Sequence, residues 1–385
     1  MLAAFAPFVR GDLSVMRVAF FYPSLTQEIA CGTSHFIRGI CSELIQKNHK
    51  IEIFEPAHHP NTGTESSNPY FSVNQKENYT IHFYHPEQEE SLTDSKIRFD
   101  FIDLALIHVS TAPRIIQLIG KIRRQTPQLR VLIHDHLHKI FSEPEQILNL
   151  DLKYIDGVLT SRRDTQQMYL HLGLTDRSWT WPEAIQTARF QQIHSDLRQG
   201  ELVHTGMQNR EDFESYTFQD QILSAAKELN LRIKLYGKFT PQYFSAEDYK
   251  SQIYFRGLIP HHKIPQILSQ SRITFYTPKT INQRSTPSTP SMRLLESMAC
   301  EIPLIATQWD DTENLFTPGK DYLITNHKDE TKDLIQLLLG DTLFRSTLTK
   351  RARDTISSRF SAEQRASELE VIYQTFFSKS NQDSK

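Results

Sequence analysis

The sequence predicts an α/β protein built as two doubly wound domains that face each other across a cleft and end in a run of helices. Three observations carry this prediction. Short apolar runs alternate with amphipathic helical stretches from Arg17 to His171, the same alternation restarts at Leu202 after a segment without a clear strand, and helix-spaced apolar residues replace it from Lys332 onward. A chain of 385 residues is long enough to give each half a core of its own.

Composition narrows the function classes. The formal net charge of -2 leaves no global basic field, which argues against nucleic acid as the main partner while allowing a local basic cleft. Cys31, Cys41 and Cys300 are too few and too scattered for a disulfide framework or a Cys-rich zinc site, which fits a reducing cytoplasm. Residues 1–15 have no basic residue ahead of their apolar run and make a poor signal peptide. They read as an upstream extension, with the natural start at Met1 or at Met16. No segment reaches the roughly 18 unbroken apolar residues of a membrane span.

In chain order, Arg17–Tyr22 reads as a central parallel strand, followed by a loop containing Gly32, a helix from about Ser34 to Gln46 and a strand at Lys50–Phe54. This is a βαβ unit whose first loop points to the carboxyl edge of the sheet, where open α/β sheets bind ligands. Gly32 is either a tight-turn residue or a substrate contact. Residues 58–98 are a polar excursion interrupted by one strand near 79–84. Strands follow at Leu104–His108, Arg130–Ile133 and Asp156–Thr160, with helices at about Pro113–Arg124 and Arg162–His171, and Trp179-Thr-Trp-Pro182 closes the first half.

The domains so delimited are 16–183, a linker at 184–200 and 201–358, with a helix at 359–378 packing back on the first domain and a disordered tail at 379–385. The second domain takes strands at Leu202–Gly206, Arg232–Tyr236, Ile253–Phe255 and Ile273–Tyr276, and helices at Phe218–Glu228 and His261–Ser269. Helices at Lys332–Leu339, Thr342–Arg359 and Ser361–Phe377 complete the chain, the last opened by a capping box of Ser361 and Gln364.

Two places carry chemistry. At the end of the first-domain strand Arg130–Ile133 stand His134-Asp135-His136-Leu137-His138. Residues two apart on an extended segment share a face, so the three histidines can converge on a metal, or they form a polar cluster at the cleft edge for a hydroxylated substrate. The second is Ser288–Phe316, where Ser288-Thr289-Pro290-Ser291 supplies a hydroxyl N-cap and an early Pro for a helix bearing Glu296, followed by a strand at Leu304–Ala306 and a second helix start at Asp311. Free amides at the first of these helix starts suit an anion such as a phosphate.

The stretch PSMRLLESMACEIPLIATQWDDTENLFTPGKDYLITN resembles the C-terminal signature of GT-B glycosyltransferases, and more narrowly that of the CgeB-like branch. YFRGLIPHHKIPQIL, CGTSHFIRGICSELIQKNHKIEIFEP, IHDHLHK and WTWPEA resemble further parts of the same family, so the likeness runs over about residues 16–375. It implies the GT-B fold of two Rossmann-like domains and a metal-independent, hexosyltransferase-like enzyme of polysaccharide or glycoconjugate biosynthesis. No cofactor is needed beyond a UDP-, GDP- or dTDP-sugar donor.

The resemblance also implies roles. Glu296 would accept hydrogen bonds from the ribose diol, and Thr289, Ser291 and Arg293 would lie by the diphosphate. His261 would frame the base, and Gly206, Arg210 and Lys238 would approach the phosphates. Gly32, Thr33 and His35 fall on the acceptor side, and His134, Asp135 and His136 supply the candidate base. One departure matters: retaining GT-B enzymes commonly carry a second acid eight residues before the one matched by Glu296, and here that position is Ser288. That departure motivates a competing reading as a non-catalytic GT-B subunit that binds nucleotide sugar or glycan; a sugar-nucleotide epimerase on the same fold and a metallohydrolase built on the His134–His138 cluster are the others.

Overall fold

The computed structural model describes residues 15–25, 32–57, 79–84, 99–124, 126–193, 202–205, 218–237, 253–277, 290–309, 311 and 313–377. The first lobe holds β1 (Arg17–Phe21), α1 (Gly32–Gln46), β2 (Lys50–Pro56), β3 (Tyr79–Tyr84), β4 (Leu104–His108), α2 (Ala112–Arg123), β5 (Arg130–Asp135), α3 (Lys139–Ser142), α4 (Pro144–Leu148), β6 (Gly157–Thr160), α5 (Arg163–His171) and β7 (Ser178–Thr180). Its seven strands run in the order β3-β2-β1-β4-β5-β6-β7, all parallel. The order reverses between β1 and β4, which opens a crevice beyond the carboxyl ends of these two strands.

The second lobe repeats the plan. It holds β8 (Leu202–Thr205), a π-helical turn at Phe218–Leu223 running into α6 (Ser224–Glu228), β9 (Ile233–Tyr236), β10 (Ile253–Gly257), α7 (Ile264–Ser269), β11 (Ile273–Tyr276), α8 (Met292–Ala299), β12 (Leu304–Thr307), β13 (Leu323–Thr325), α9 (Lys328–Gly340) and α10 (Thr342–Arg359). Six parallel strands run in the order β10-β9-β8-β11-β12-β13, reversing between β8 and β11. The final helix, α11 (Ala362–Gln374), leaves this lobe and packs on α1.

Parallel strands covered on both faces read as continuous apolar runs, and Val18–Phe21 and Leu104–Ile107 are fully buried for that reason. One apolar core crosses both lobes, joining Phe36, Ile40 and Trp181 to Leu295, Met298 and Leu304 and to Leu369 and Ile372 of α11. The two segments that pass between the lobes pair with each other: Ile185 N donates to the Phe360 carbonyl at 2.8 Å and Ala362 N to the Ile185 carbonyl at 2.9 Å. Trp181 Nε1 donates to the Arg365 carbonyl at 3.1 Å, and Arg365 Nε to the Pro182 carbonyl at 3.0 Å.

Three local expectations need correction. Gly32 is the first residue of α1 rather than a loop residue, and it lies so close to α8 that a Cβ there would sit 2.9 Å from Met292 Cγ. Among the described residues no helix begins at Asp311: its carboxylate accepts from Phe316 N at 2.8 Å, so the acid serves the loop's own backbone. The His134–His138 alternation breaks because β5 ends at Asp135 and His138 adopts a left-handed conformation (φ 53°), which sends its ring to Thr165.

Residues 1–14 of the extension, 58–78 and 85–98 of the polar excursion, and the tail at 379–385 lie outside the described residues. Among the described residues, no helix is long and apolar enough to cross a membrane.

Candidate functional site

The two switch points face each other, and the polar groups of the chain gather at two places beside them. The first lies within the first lobe. Tyr22, just past β1, shares a 2.8 Å hydrogen bond with His134 Nδ1, and Phe36 and Trp181 pack against the same imidazole. His108 at the end of β4 and His136 beyond β5 lie beside it in tilted contact, with ring centroids 4.8 Å apart for His108 and His136 and 5.0 Å for His134 and His136.

Burial pushes His134 and His136 well below the ordinary imidazole range, neighbouring imidazoles adding to it, and holds His108 and His138 at about 4. These rings are neutral at pH 7.

Within that cluster the candidate bases are not equivalent. Asp135 is fully buried and its oxygens accept from Lys139 N at 2.9 Å, Ile140 N at 3.3 Å and Tyr169 Oη at 3.0 Å. It fastens the start of α3 and the inner face of α5 to the end of β5. His134 is likewise without exposure, whereas His136 is half-buried at the rim.

The second gathering place is shared between the lobes. His35 and Thr33 come from α1, Glu183 from the segment after Trp181, and His261, Tyr276 and Glu296 from the second lobe. His261 Nε2 donates to Glu296 Oε1 at 2.6 Å, and His35 Nδ1 lies 3.6 Å from the same oxygen with its ring in direct contact with that of His261. All three side chains are nearly or fully excluded from solvent. Burial lowers His35 to about 4, against the opposing pull of Glu296, and pushes His261 well below its usual value, with Arg38 and Arg189 adding to the effect.

Thr33 Oγ1 donates to Glu183 Oε1 at 3.3 Å; burial nevertheless raises Glu183 to about 7, and the nearby Glu296 charge reinforces the rise. A carboxyl poised near neutrality beside another acid is a group that takes up or gives up a proton when its surroundings change.

At the start of α8, Ser291 is the N-cap in extended conformation, and its hydroxyl makes no capping bond. Leu294 N and Leu295 N reach the Ser291 carbonyl, so the amides of Met292 and Arg293 have no intrahelical partner. Arg293 Nη1 donates to the Thr205 carbonyl at 3.2 Å, placing the guanidinium at the carboxyl end of β8, and Tyr276 stands beside Ser291 at the end of β11. A helix start, a cation and an acid thus meet at the second switch point.

Of the residues singled out from sequence, His35, Thr33, His261, Ser291, Arg293 and Glu296 are brought to one place, with Gly32 at its edge against Met292. His134, Asp135 and His136 form the separate first-lobe cluster. Gly206, Arg210, Lys238 and Thr289 lie outside the described residues. The sequence reading passed over Glu183 and Tyr276. For Glu183 a signal existed: it is the single acid in the Trp-Thr-Trp-Pro-Glu-Ala segment that joins the lobes.

Comparison with known proteins agrees with this architecture. Residues 212–370 match the family described as "Glycosyl transferase-like". No curated protein matches the sequence. Solved structures with the same two-lobed GT-B fold include sucrose-phosphate synthase from Thermosynechococcus elongatus, which is 16% identical with a TM-score of 0.63 over 95% of this chain and 100% of the other. Anabaena Alr3699/HepE in complex with UDP-glucose is 13% identical, with a TM-score of 0.66 over 94% and 100%. AviGT4, a glycosyltransferase involved in avilamycin A biosynthesis, is 12% identical, with a TM-score of 0.60 over 93% and 97%. The fold is GT-B.

Proposed function

We propose that this chain is a glycosyltransferase that moves a sugar from a nucleotide-sugar donor to a hydroxylated acceptor: a glycan, lipid, protein or small molecule. The observation that carries the reading is Glu296, an acid buried at the second switch point and oriented by His261, one turn from a helix start with free amides. A carboxylate offers two acceptor oxygens to the two hydroxyls of a ribose. The amides of Met292 and Arg293 and the Arg293 guanidinium suit the diphosphate, whose negative charge grows as the nucleotide departs. The match of residues 212–370 to a glycosyltransferase-like family and the UDP-glucose held by HepE support the same assignment.

In this reading the acceptor oxygen forms its bond to the anomeric carbon as the bond from that carbon to the diphosphate breaks, and the acceptor proton passes to a base or to the leaving phosphate. His136 is the member of the first-lobe trio that keeps partial exposure, and it is the candidate to take the proton. The transfer is metal-independent and takes place in a reducing cytoplasm. The affinity to the CgeB-like branch rests on the sequence motifs around Glu296.

The test is to incubate the purified chain with UDP-, GDP- and dTDP-sugars, with and without an acceptor-rich lysate, and to follow nucleotide release. Release of one nucleoside diphosphate that rises with acceptor is expected. Tight donor binding with no release would instead favour the non-catalytic subunit suggested by Ser288.

A further inference from the structure

Among the described residues one group of side chains has the composition of a metal site: His35, His261 and Glu296, each able to offer one ligand atom, all of these atoms lying within 4.8 Å of one another. Hydrogen bonding does not account for the His35 imidazole: Nδ1 lies 3.6 Å from Glu296 Oε1, Nε2 is buried without a hydrogen-bond partner, and a buried polar atom left in that state costs stability. Both imidazoles converge on one carboxylate oxygen.

We propose that His35, His261 and Glu296 bind a zinc ion that bridges the two lobes and excludes the nucleotide-sugar donor. Two imidazoles and one carboxylate are a borderline-soft set suited to zinc and poorly suited to calcium or magnesium, which take oxygen ligands. Zinc bonds of roughly 2.0–2.2 Å would draw the three donors together by small side-chain rotations. The ligands come from both sides of the cleft, so the ion acts as a clasp. His35 belongs to α1 of the first lobe, while His261 and Glu296 belong to the second. Glu296 would serve the metal or the ribose but not both at once. The competition therefore rests on the donor role given to Glu296 above, whereas metal binding does not.

The test uses the untagged full-length chain, stripped with EDTA. Zinc is titrated against a chromophoric zinc indicator, and cobalt is substituted to read the ligand field by its visible absorption. A single tight equivalent is expected, weakened about tenfold or more in His35→Gln and in His261→Gln, with loss of the cobalt bands. Circular dichroism on each variant separates ligand loss from unfolding. Donor affinity is then measured with EDTA and again with one equivalent of zinc, and the apparent Kd should rise with the metal. Zinc binding unchanged in both variants, or the absence of a tight equivalent, overturns the site. Zinc binding that leaves donor affinity unchanged overturns the clasp at Glu296. A chain that binds no nucleotide in EDTA counts against the transferase reading alone, because the zinc stoichiometry still decides the metal site.

Discussion

The two histidine clusters are built from the same residue types and are buried to a similar degree, yet they are held in different ways. His134 and its neighbours are enclosed by their own lobe, with Tyr22 bonded to His134 and Thr165 to His138, and with Trp181 and Phe36 packed over His134. His35, His261 and Glu296 are enclosed only because α1 of one lobe meets α8 of the other. Burial in the first case belongs to the core; in the second it lasts as long as the lobes touch. A buried polar group secured by a contact between lobes depends on both of them, whereas one secured within a single sheet depends on its own lobe.

That contrast can be broken by substitution. The largest effect is expected from Trp181→Ala, which empties a fully buried site over His134 and removes the bond to the Arg365 carbonyl. Urea unfolding should show a loss of about 3–5 kcal/mol. Asp135→Ala removes the acceptor that ties α3 and α5 to β5 and should cost about 2–3 kcal/mol by the same measurement. If Asp135→Ala folded as well as the parent but lost turnover, the acid would be a base after all.

Glu296→Ala acts in the opposite sense. Nucleotide affinity measured by calorimetry should fall by about 1–3 kcal/mol, with a smaller change in the unfolding midpoint than Trp181→Ala produces. Unchanged affinity would remove Glu296 from the donor site.

Acid sharpens the comparison further. His35, His108 and His138 titrate at about 4 in the folded chain, below the value near 6.5 of a free imidazole. Between those limits the unfolded chain binds protons that the folded chain refuses, so the contribution of these groups is full above about pH 6.5 and is lost as the pH falls toward 4. Urea midpoints measured across this range should decline, and a flat profile would contradict the burial of the rings.

Glu183 runs the other way and gives the smallest effect. Its folded value of about 7 lies above that of a free Glu, so its contribution is present at low pH and lost as the pH rises through 7. Relative to the parent, Glu183→Gln should be more stable near pH 8 than near pH 5.

Much of this was legible in the residues, and the parts that were not share a cause. The parallel strands were readable because both faces are covered and their side chains form unbroken apolar runs. The helix that bears Glu296 was readable because a helix start, a proline turn and a short strand occur in a fixed order. Gly32 was misplaced by the few residues that separate a loop from a helix start, since its surroundings are set by Met292, far along the chain. The Asp311 helix failed because the side chain bonded to its own loop, a local competition that helix signals do not weigh. The pairing of His35 with His261 spans the two lobes, and no periodicity within either segment encodes it.

The last helix has a consequence for how this chain is made. Its residues cover α1, and its Glu370 receives Lys47 Nζ at 2.5 Å and lies 2.8 Å from His49 Nε2, so the lobe that leaves the ribosome first lacks part of its wall until α11 has emerged. Translation builds this protein from front to back, but its first lobe is finished by a helix that follows the second, and a chain released before α11 would carry an open apolar flank in place of a completed lobe.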